Sequence, residues 1–290
     1  MTVTPNEAVR QMTAGSNAAP TNPNKVLWEK GDFARIAASM RKSGEELVDT
    51  LGLAAGMSVL DLGCGDGTTA LPAAQRGADV LGVDIAANLV AAGNARARAH
   101  GLTNLRFQEG DASHLAGLTD DSFELVVTIF GAMFAPRPHD VAKEMVRVTK
   151  PGGRIVMGNW IPNDPTLVAQ ILTISSAYSS APPDGFISPM TWGVEQHVVD
   201  RFSAAGVPAA KVVCERKTWV FRYPSQPAAL LCEFQTFYGP TMNAFAAAES
   251  TGRSAQLQLE LEDLFESQNV ATEAGNTVIP ATYLRVTVTV

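Results

Sequence analysis

The residues whose types and spacing could carry chemistry run from Val59 to Thr69, Val-Leu-Asp-Leu-Gly-Cys-Gly-Asp-Gly-Thr-Thr, an apolar run that turns through alternating glycines into a helical pattern. Glycine lets the backbone of such a turn approach a ligand closely, and the start of a helix offers N–H groups without intrahelical partners. Two phosphate-binding patterns fail here. A dinucleotide fingerprint G-x-G-x-x-G counted from Gly63 and Gly65 meets Thr68 where the third glycine belongs, and a Walker-type loop needs a lysine that does not follow. Carboxylates at Asp61 and Asp66 would repel phosphate and suit a ligand carrying an ammonium or sulfonium charge. Asp84 closes the next apolar run, Val-Leu-Gly-Val-Asp, at a position from which an acid accepts both hydroxyls of a ribose, and Asp111 closes the run after that. Together these residues describe an amino-acid-bearing nucleoside lying across the carboxyl ends of strands.

The elements that must position them follow from periodicity. Short β-branched runs that hardly alternate (SVLDLG, DVLGVD, NLRFQEGD, FELVVTIF, RIVMGNW) are separated by helical segments from about Thr68, from Ala87 to His100 and from Asp140 to Thr149. Such an alternation predicts a parallel sheet covered on both faces. Pro151-Gly152-Gly153 reads as the corner before the fifth strand, and Phe33, Ile36, Met40, Leu47 and Leu51 recur at helical spacing in one amphipathic helix ahead of the first. Beyond Trp160 the rhythm breaks. A Pro- and aromatic-bearing stretch to about Ala210 reads as an insertion, KVVCERKTWVFRY as a strand, AALLCEFQTFYGPTMNAFAAAE and SAQLQLELEDLFESQN as helices, and ATYLRVTVTV as a closing strand. The expected organisation is a leader over residues 1–24 and one domain over 25–290, with cap insertions at about 162–210 and 225–269.

The strings VLDLGCGDG, VLGVDIA, EGDASHL, FELVVTIFGAMFAP and RVTKPGGRIVMGNW resemble, in order and spacing, the successive motifs of class I S-adenosylmethionine-dependent methyltransferases. The likeness is greatest to the ubiquinone and menaquinone biosynthesis C-methylase type, and it covers about Trp28 to Trp160. The resemblance implies a Rossmann-like α/β/α sandwich with a seven-stranded, mostly parallel sheet, an antiparallel last strand and, here, a helical cap. It implies that Asp61, Gly63 and Gly65 surround the methionine portion of S-adenosylmethionine and that Asp84 holds the ribose, with Ile85 against the adenine. Asp111 and Ala112 then meet the adenine edge, and Thr128, Ile129 and Phe130 lie near the sulfonium. The product cofactor is S-adenosylhomocysteine. The long helical segment between the two final strands departs from the family pattern.

Other residue types narrow the chemistry. Cys64 has no histidine neighbour in sequence, and His100, His114, His139 and His197 suit surface or capping roles, so no general base is assigned. Met133, Trp160, Trp192 and Tyr238 are the candidate acceptor contacts. The segment after the fourth strand, Ile129-Phe130-Gly131-Ala132, lacks the Asn/Asp-Pro-Pro-aromatic motif of enzymes that methylate base amino groups. No cysteine follows a proline, and three distant cysteines do not suit arsenite. The acceptor expected is a small, partly apolar metabolite.

Composition agrees. With 46% hydrophobic and 18% charged residues in 290, the chain can bury a full core, and a net charge of −7 without any basic run argues against nucleic acid. The three cysteines make neither a disulfide framework nor a zinc-type spacing, and no apolar run is long enough for a membrane span. These features point to a soluble cytoplasmic protein that needs no metal. A nucleotide-dependent oxidoreductase on a related sheet, against which Thr68 argues, and a non-catalytic S-adenosylmethionine-binding protein are the rival readings.

Overall fold

Val59, Leu60 and Leu62, then Val80, Leu81 and Val83, then Leu125, Val126 and Val127 are all buried, which is why these runs show no in–out alternation. The computed structural model that places them describes residues 22, 24–179, 181–182 and 184–290, so the expected leader lies outside the described residues except for Asn22 and Asn24. In chain order the elements are α1 (Asn24–Glu29), α2 (Phe33–Ala38), α3 (Arg41–Asp49), β1 (Ser58–Leu62), α4 (Ala70–Gln75), β2 (Asp79–Asp84), α5 (Ala87–Ala99), β3 (Leu105–Glu109), β4 (Phe123–Ile129), α6 (Pro138–Val148) and β5 (Thr149–Trp160). They continue as α7 (Leu167–Ser176), α8 (Glu195–Ala204), β6 (Val212–Tyr223), α9 (Pro227–Phe237), α10 (Gly239–Ser250), α11 (Ser254–Gln268) and β7 (Thr277–Thr289).

The strands form one seven-stranded sheet in the order β3-β2-β1-β4-β5-β7-β6. Strands β1 to β5 pair in parallel, and β7 runs antiparallel to both β5 and β6. Successive residues of β1 enter different cores. Val59 packs with Val48, Leu51 and the alanines of α4, whereas Leu60 and Leu62 pack with the apolar faces of α6 and α7. This is the three-layer arrangement expected. The order reverses between β1 and β4, and a crevice opens there at the carboxyl ends of the strands. No helix of the described residues is long and apolar enough to cross a membrane.

Two helical expectations and one strand boundary change. The segment read as one helix from Phe33 to Leu51 breaks at Ser39 and Met40, because the Ser39 carbonyl accepts the Arg222 N–H at the end of β6 (2.8 Å). The segment from Ala228 to Glu249 breaks at Tyr238, where Pro240 has no N–H to continue the α9 ladder. The fifth strand begins at Thr149 rather than Arg154, so Pro151-Gly152-Gly153 lies within it, beside a register shift opposite Phe123 and Leu125.

Candidate active site

The turn after β1 is held by the end of β2. The Gly63 and Cys64 N–H groups both donate to the Val83 carbonyl (2.7 and 3.2 Å), and the Gly65 N–H donates to Asp84 Oδ2 (2.8 Å). These amides are therefore spent on the protein and not left open for an anion, which is why the loop lacks phosphate-binding character despite its glycines. Asp84 Oδ1 accepts the Ala86 N–H (2.9 Å), so the carboxylate braces the glycine turn on one side and the entry to α5 on the other. Bracing does not exhaust it, since each oxygen keeps a second acceptor site.

Gly63 sits at φ 68°, and it meets the turn after β4 at backbone contact. A Cβ on Gly131 would lie 2.2 Å from the Gly63 carbonyl oxygen, and one on Gly63 would lie 2.7 Å from the Gly131 Cα. Two glycines from strands adjacent at the crevice thus let both turns share its floor. Gly65 differs: the nearest atom to its Cβ position is 3.9 Å away, so only its φ of 56° demands glycine. Phe130 adopts φ 60°, uncommon for a residue with a large side chain. Its N–H donates to the Gly158 carbonyl (2.9 Å), and its ring stacks on Trp160 with centroids 3.7 Å apart and planes within 7°. Those two contacts hold the conformation.

Around these turns lies a cavity of about 940 Å³, counted with its open mouth. Of the expected cofactor contacts, Asp61, Gly63, Gly65, Asp84, Ile85, Ala112 and Phe130 all line it. Asp111 does not. Its Oδ1 accepts the Ser113 N–H (2.8 Å) and its Oδ2 lies 3.9 Å from the Arg137 guanidinium, so it shapes the turn after β3. Asp66 lines the cavity, but Arg41 and Arg96 both pair with its carboxylate, so its charge is balanced within the protein. The negative character expected of the loop falls to Asp61 and Asp84. Asp61 is 2% exposed, and its Oδ2 has no hydrogen-bond partner. Burial, with the Asp84 carboxylate adding to it, pushes the Asp61 carboxyl up to about 7, and burial raises Asp84 as well. A buried carboxylate oxygen left without a donor is costly, and a cation in the cavity would relieve it. Cys64 also lines the wall, but burial pushes its thiol well up, which leaves no thiolate for chemistry.

A second cavity of about 450 Å³ adjoins the first. Trp28, Phe33, Met40, Phe130 and Phe134 line both. Trp160 and Tyr238 line the second cavity, but Met133 and Trp192, expected with them, line neither. Met133 is packed in the core, and Trp192 lies beneath the Arg201 guanidinium (4.5 Å from the ring) and against Phe202. For Met133, position after a strand end did not distinguish facing the crevice from facing the core.

Several lining residues were not foreseen. Asn22, Asn24 and Trp28 come from α1 and the residues before it, and Trp219 comes from β6. Helix α1 is tied over the crevice by the Lys25–Glu109 ion pair (2.7 Å), by Glu29 Oε1 accepting the Ala87 N–H (3.1 Å), and by the Asn24 amide donating to the Phe134 carbonyl. The available signal was the aromatic pair Trp28 and Phe33 flanking Gly31, just ahead of the first amphipathic pattern.

Residues 60–157 match the family described as Methyltransferase domain. The uncharacterized protein Rv1403c of Mycobacterium tuberculosis is 32% identical over 254 residues, which cover 85% of this chain and 88% of that protein. A demethylmenaquinone methyltransferase of Paenarthrobacter aurescens is 31% identical over 173 residues, 55% of this chain and 66% of the enzyme. This chain belongs to the class I S-adenosylmethionine-dependent methyltransferases. The crystal structure of the Bacillus subtilis YcgJ protein shares the fold of this methyltransferase, with a TM-score of 0.55 and 19% identity over 85% of this chain and 97% of that one. Membership sets aside the oxidoreductase reading. It also fits the chemistry of the methyltransferase cavity, because the family's cofactor carries an ammonium and a sulfonium charge and the cavity presents Asp61 with an unpartnered oxygen.

Proposed function

We propose that the larger cavity of this methyltransferase binds S-adenosylmethionine and that the second cavity seats a small, partly apolar acceptor. The adjacency of the two cavities through Trp28, Phe33, Met40, Phe130 and Phe134 carries this reading. Asp84 would hold the ribose hydroxyls, Ile85 and Ala112 the adenine, and Asp61 with the backbone of Gly63 and Gly65 the charged amino-acid end. When bound, the cofactor supplies a methyl group already activated by the positive sulfur. The protein's part is then geometric: rigid turns hold the donor side, Phe130 and Trp160 wall the junction, and buried aromatic side chains exclude water. Such orientation is worth roughly 7–11 kcal/mol of barrier. The relative named a demethylmenaquinone methyltransferase supports an apolar acceptor. Calorimetric titration with S-adenosylmethionine and S-adenosylhomocysteine tests the cofactor half, and absence of affinity for both overturns it. Incubation with cell extract and methyl-labelled cofactor, followed by mass spectrometry of small molecules, tests the rest; label that never leaves the cofactor would favour a non-catalytic binding protein.

The Asp61 carboxyl gives this reading a pH signature. Below the ordinary value of 3.8 it is protonated in folded and unfolded chains alike and contributes nothing to stability. Between 3.8 and about 7 the unfolded chain releases the proton while the folded chain keeps it, so stability falls as pH rises; above about 7 the penalty is constant. A cationic ligand reverses the preference and favours the carboxylate. Affinity for S-adenosylmethionine should therefore rise by up to about tenfold per pH unit from pH 6 to 7 and level off by pH 8, with proton release on binding at the lower pH. Calorimetry in buffers of different ionisation enthalpy measures the protons, and Asp61→Asn should flatten the profile. A flat profile in the unmodified enzyme removes Asp61 from the cationic end.

A further inference from the structure

The second cavity is lined by thirteen residues, eight of them aromatic and five aliphatic, with no acid, lysine, arginine or histidine among them. Its only side-chain hydroxyl belongs to Tyr238. Tyr238 is 6% exposed, and its hydroxyl makes no hydrogen bond within the described residues, whereas Tyr178 and Tyr223 bond their hydroxyls to Glu260 and Glu233. A tyrosine hydroxyl on a buried ring normally has a partner, and this oxygen, which is not among the sealed unpartnered atoms of the core, stays accessible where the ring lines the cavity. Burial alone raises its pKa, so this group stays protonated and can both donate and accept.

The backbone that carries Tyr238 is clasped from both sides. Residue 238 forms a bridge with Gly31, the Phe237 carbonyl accepts the Asp32 N–H (3.2 Å), and a Cβ on Gly31 would lie 2.6 Å from the Phe237 carbonyl oxygen. On the other side a Cβ on Gly239 would lie 2.4 Å from the Leu27 carbonyl oxygen. The ring is packed edge-on to Phe234 and tilted against Trp28 and Phe33. Side chain and backbone are thus held in one place before any acceptor arrives, the arrangement expected of a group that orients a ligand.

We infer that Tyr238 is the specificity-determining residue of the acceptor cavity and that the acceptor is a neutral, mostly hydrocarbon molecule carrying an oxygen that hydrogen-bonds the Tyr238 hydroxyl. A charged head group inside this cavity would find no counter-charge and would lose its hydration. A molecule without the oxygen would leave the hydroxyl unpaired, and a site built around a hydrogen bond rejects analogues that lack it. The inference rests on the second cavity being the acceptor site, as proposed above.

The test uses 2-naphthol and naphthalene as probes, titrated into the whole protein saturated with S-adenosylhomocysteine. The unmodified enzyme should bind 2-naphthol at least about tenfold more tightly than naphthalene, and Tyr238→Phe should erase that preference while leaving affinity for naphthalene and for S-adenosylhomocysteine unchanged. Equal binding of the two probes by the unmodified enzyme overturns the inference without any variant, as does a preference that survives Tyr238→Phe. Failure of the unmodified enzyme to bind S-adenosylhomocysteine counts instead against the cofactor reading, and tight binding of the anionic 2-naphthalenesulfonate counts against a neutral acceptor.

Discussion

Asp84→Asn is expected to lower affinity for S-adenosylmethionine by about 100-fold and to destabilise the glycine turn. The carboxylate works as an acceptor on both oxygens, toward the Gly65 N–H at 2.8 Å and the Ala86 N–H at 2.9 Å. An amide of the same shape has one acceptor atom, so whichever way it turns its NH2 group faces a backbone N–H. Hydrogen bonds to charged groups contribute about 1.5–3 kcal/mol each, and losing the equivalent of one or two of them in the bound state gives the stated factor. Part of the loss comes through the turn itself, because Gly65 would no longer be braced against β2. Calorimetry and thermal denaturation on the same samples separate the two contributions: affinity lost with melting unchanged isolates the ribose contact. Affinity within a few-fold of the unmodified enzyme would reduce Asp84 to a brace between the glycine turn and the entry to α5.

Gly131→Ala is expected to destabilise the fold by about 3 kcal/mol and to weaken cofactor binding by about tenfold or more. Unlike most glycines of the site, Gly131 has an ordinary backbone conformation, at φ −91° and ψ −69°, so alanine there tests space and nothing else. The added carbon would sit 2.2 Å from the Gly63 oxygen and 2.7 Å from its Cα. Both neighbours are main chain, so relief requires one of the two turns to move. The turn after β1 is tied to Val83 and Asp84, and the turn after β4 is tied by Phe130 to Gly158 and by Thr128 Oγ1 accepting the Ala132 N–H (3.0 Å). Either movement opens the floor of the crevice in which the cofactor is proposed to bind. Melting and affinity both unchanged would show that the turns give way easily and that the contact between them is incidental.

The larger cavity was legible because its signals are local. A strand, a glycine turn and an acid at the next strand end lie within twenty-six residues, from Val59 to Asp84, and the parallel sheet brings them to one edge without further instruction. The second cavity was only half legible. Trp160 and Tyr238 reach the second cavity, but Met133 and Trp192, chosen by the same reasoning, turn into the core, since a one-residue step or a short helical turn decides which way a side chain faces. The charge of the loop was misread for a similar reason. Arg41 and Arg96, which balance Asp66, stand twenty-five and thirty residues from it in sequence.

By itself, then, the order of residues determined the sheet, the glycine turn and the acids at its edge, because hydrophobic period and turn chemistry act between near neighbours. Only the tertiary structure decided that Arg41 and Arg96 pair with Asp66 while no ion pair among the described residues reaches Asp61, that Gly63 needs Gly131, and that α1 and β6 close the walls with Trp28 and Trp219. Those outcomes depend on which distant segments come into contact, and contact across the crevice is set by packing of the whole chain rather than by any stretch of it.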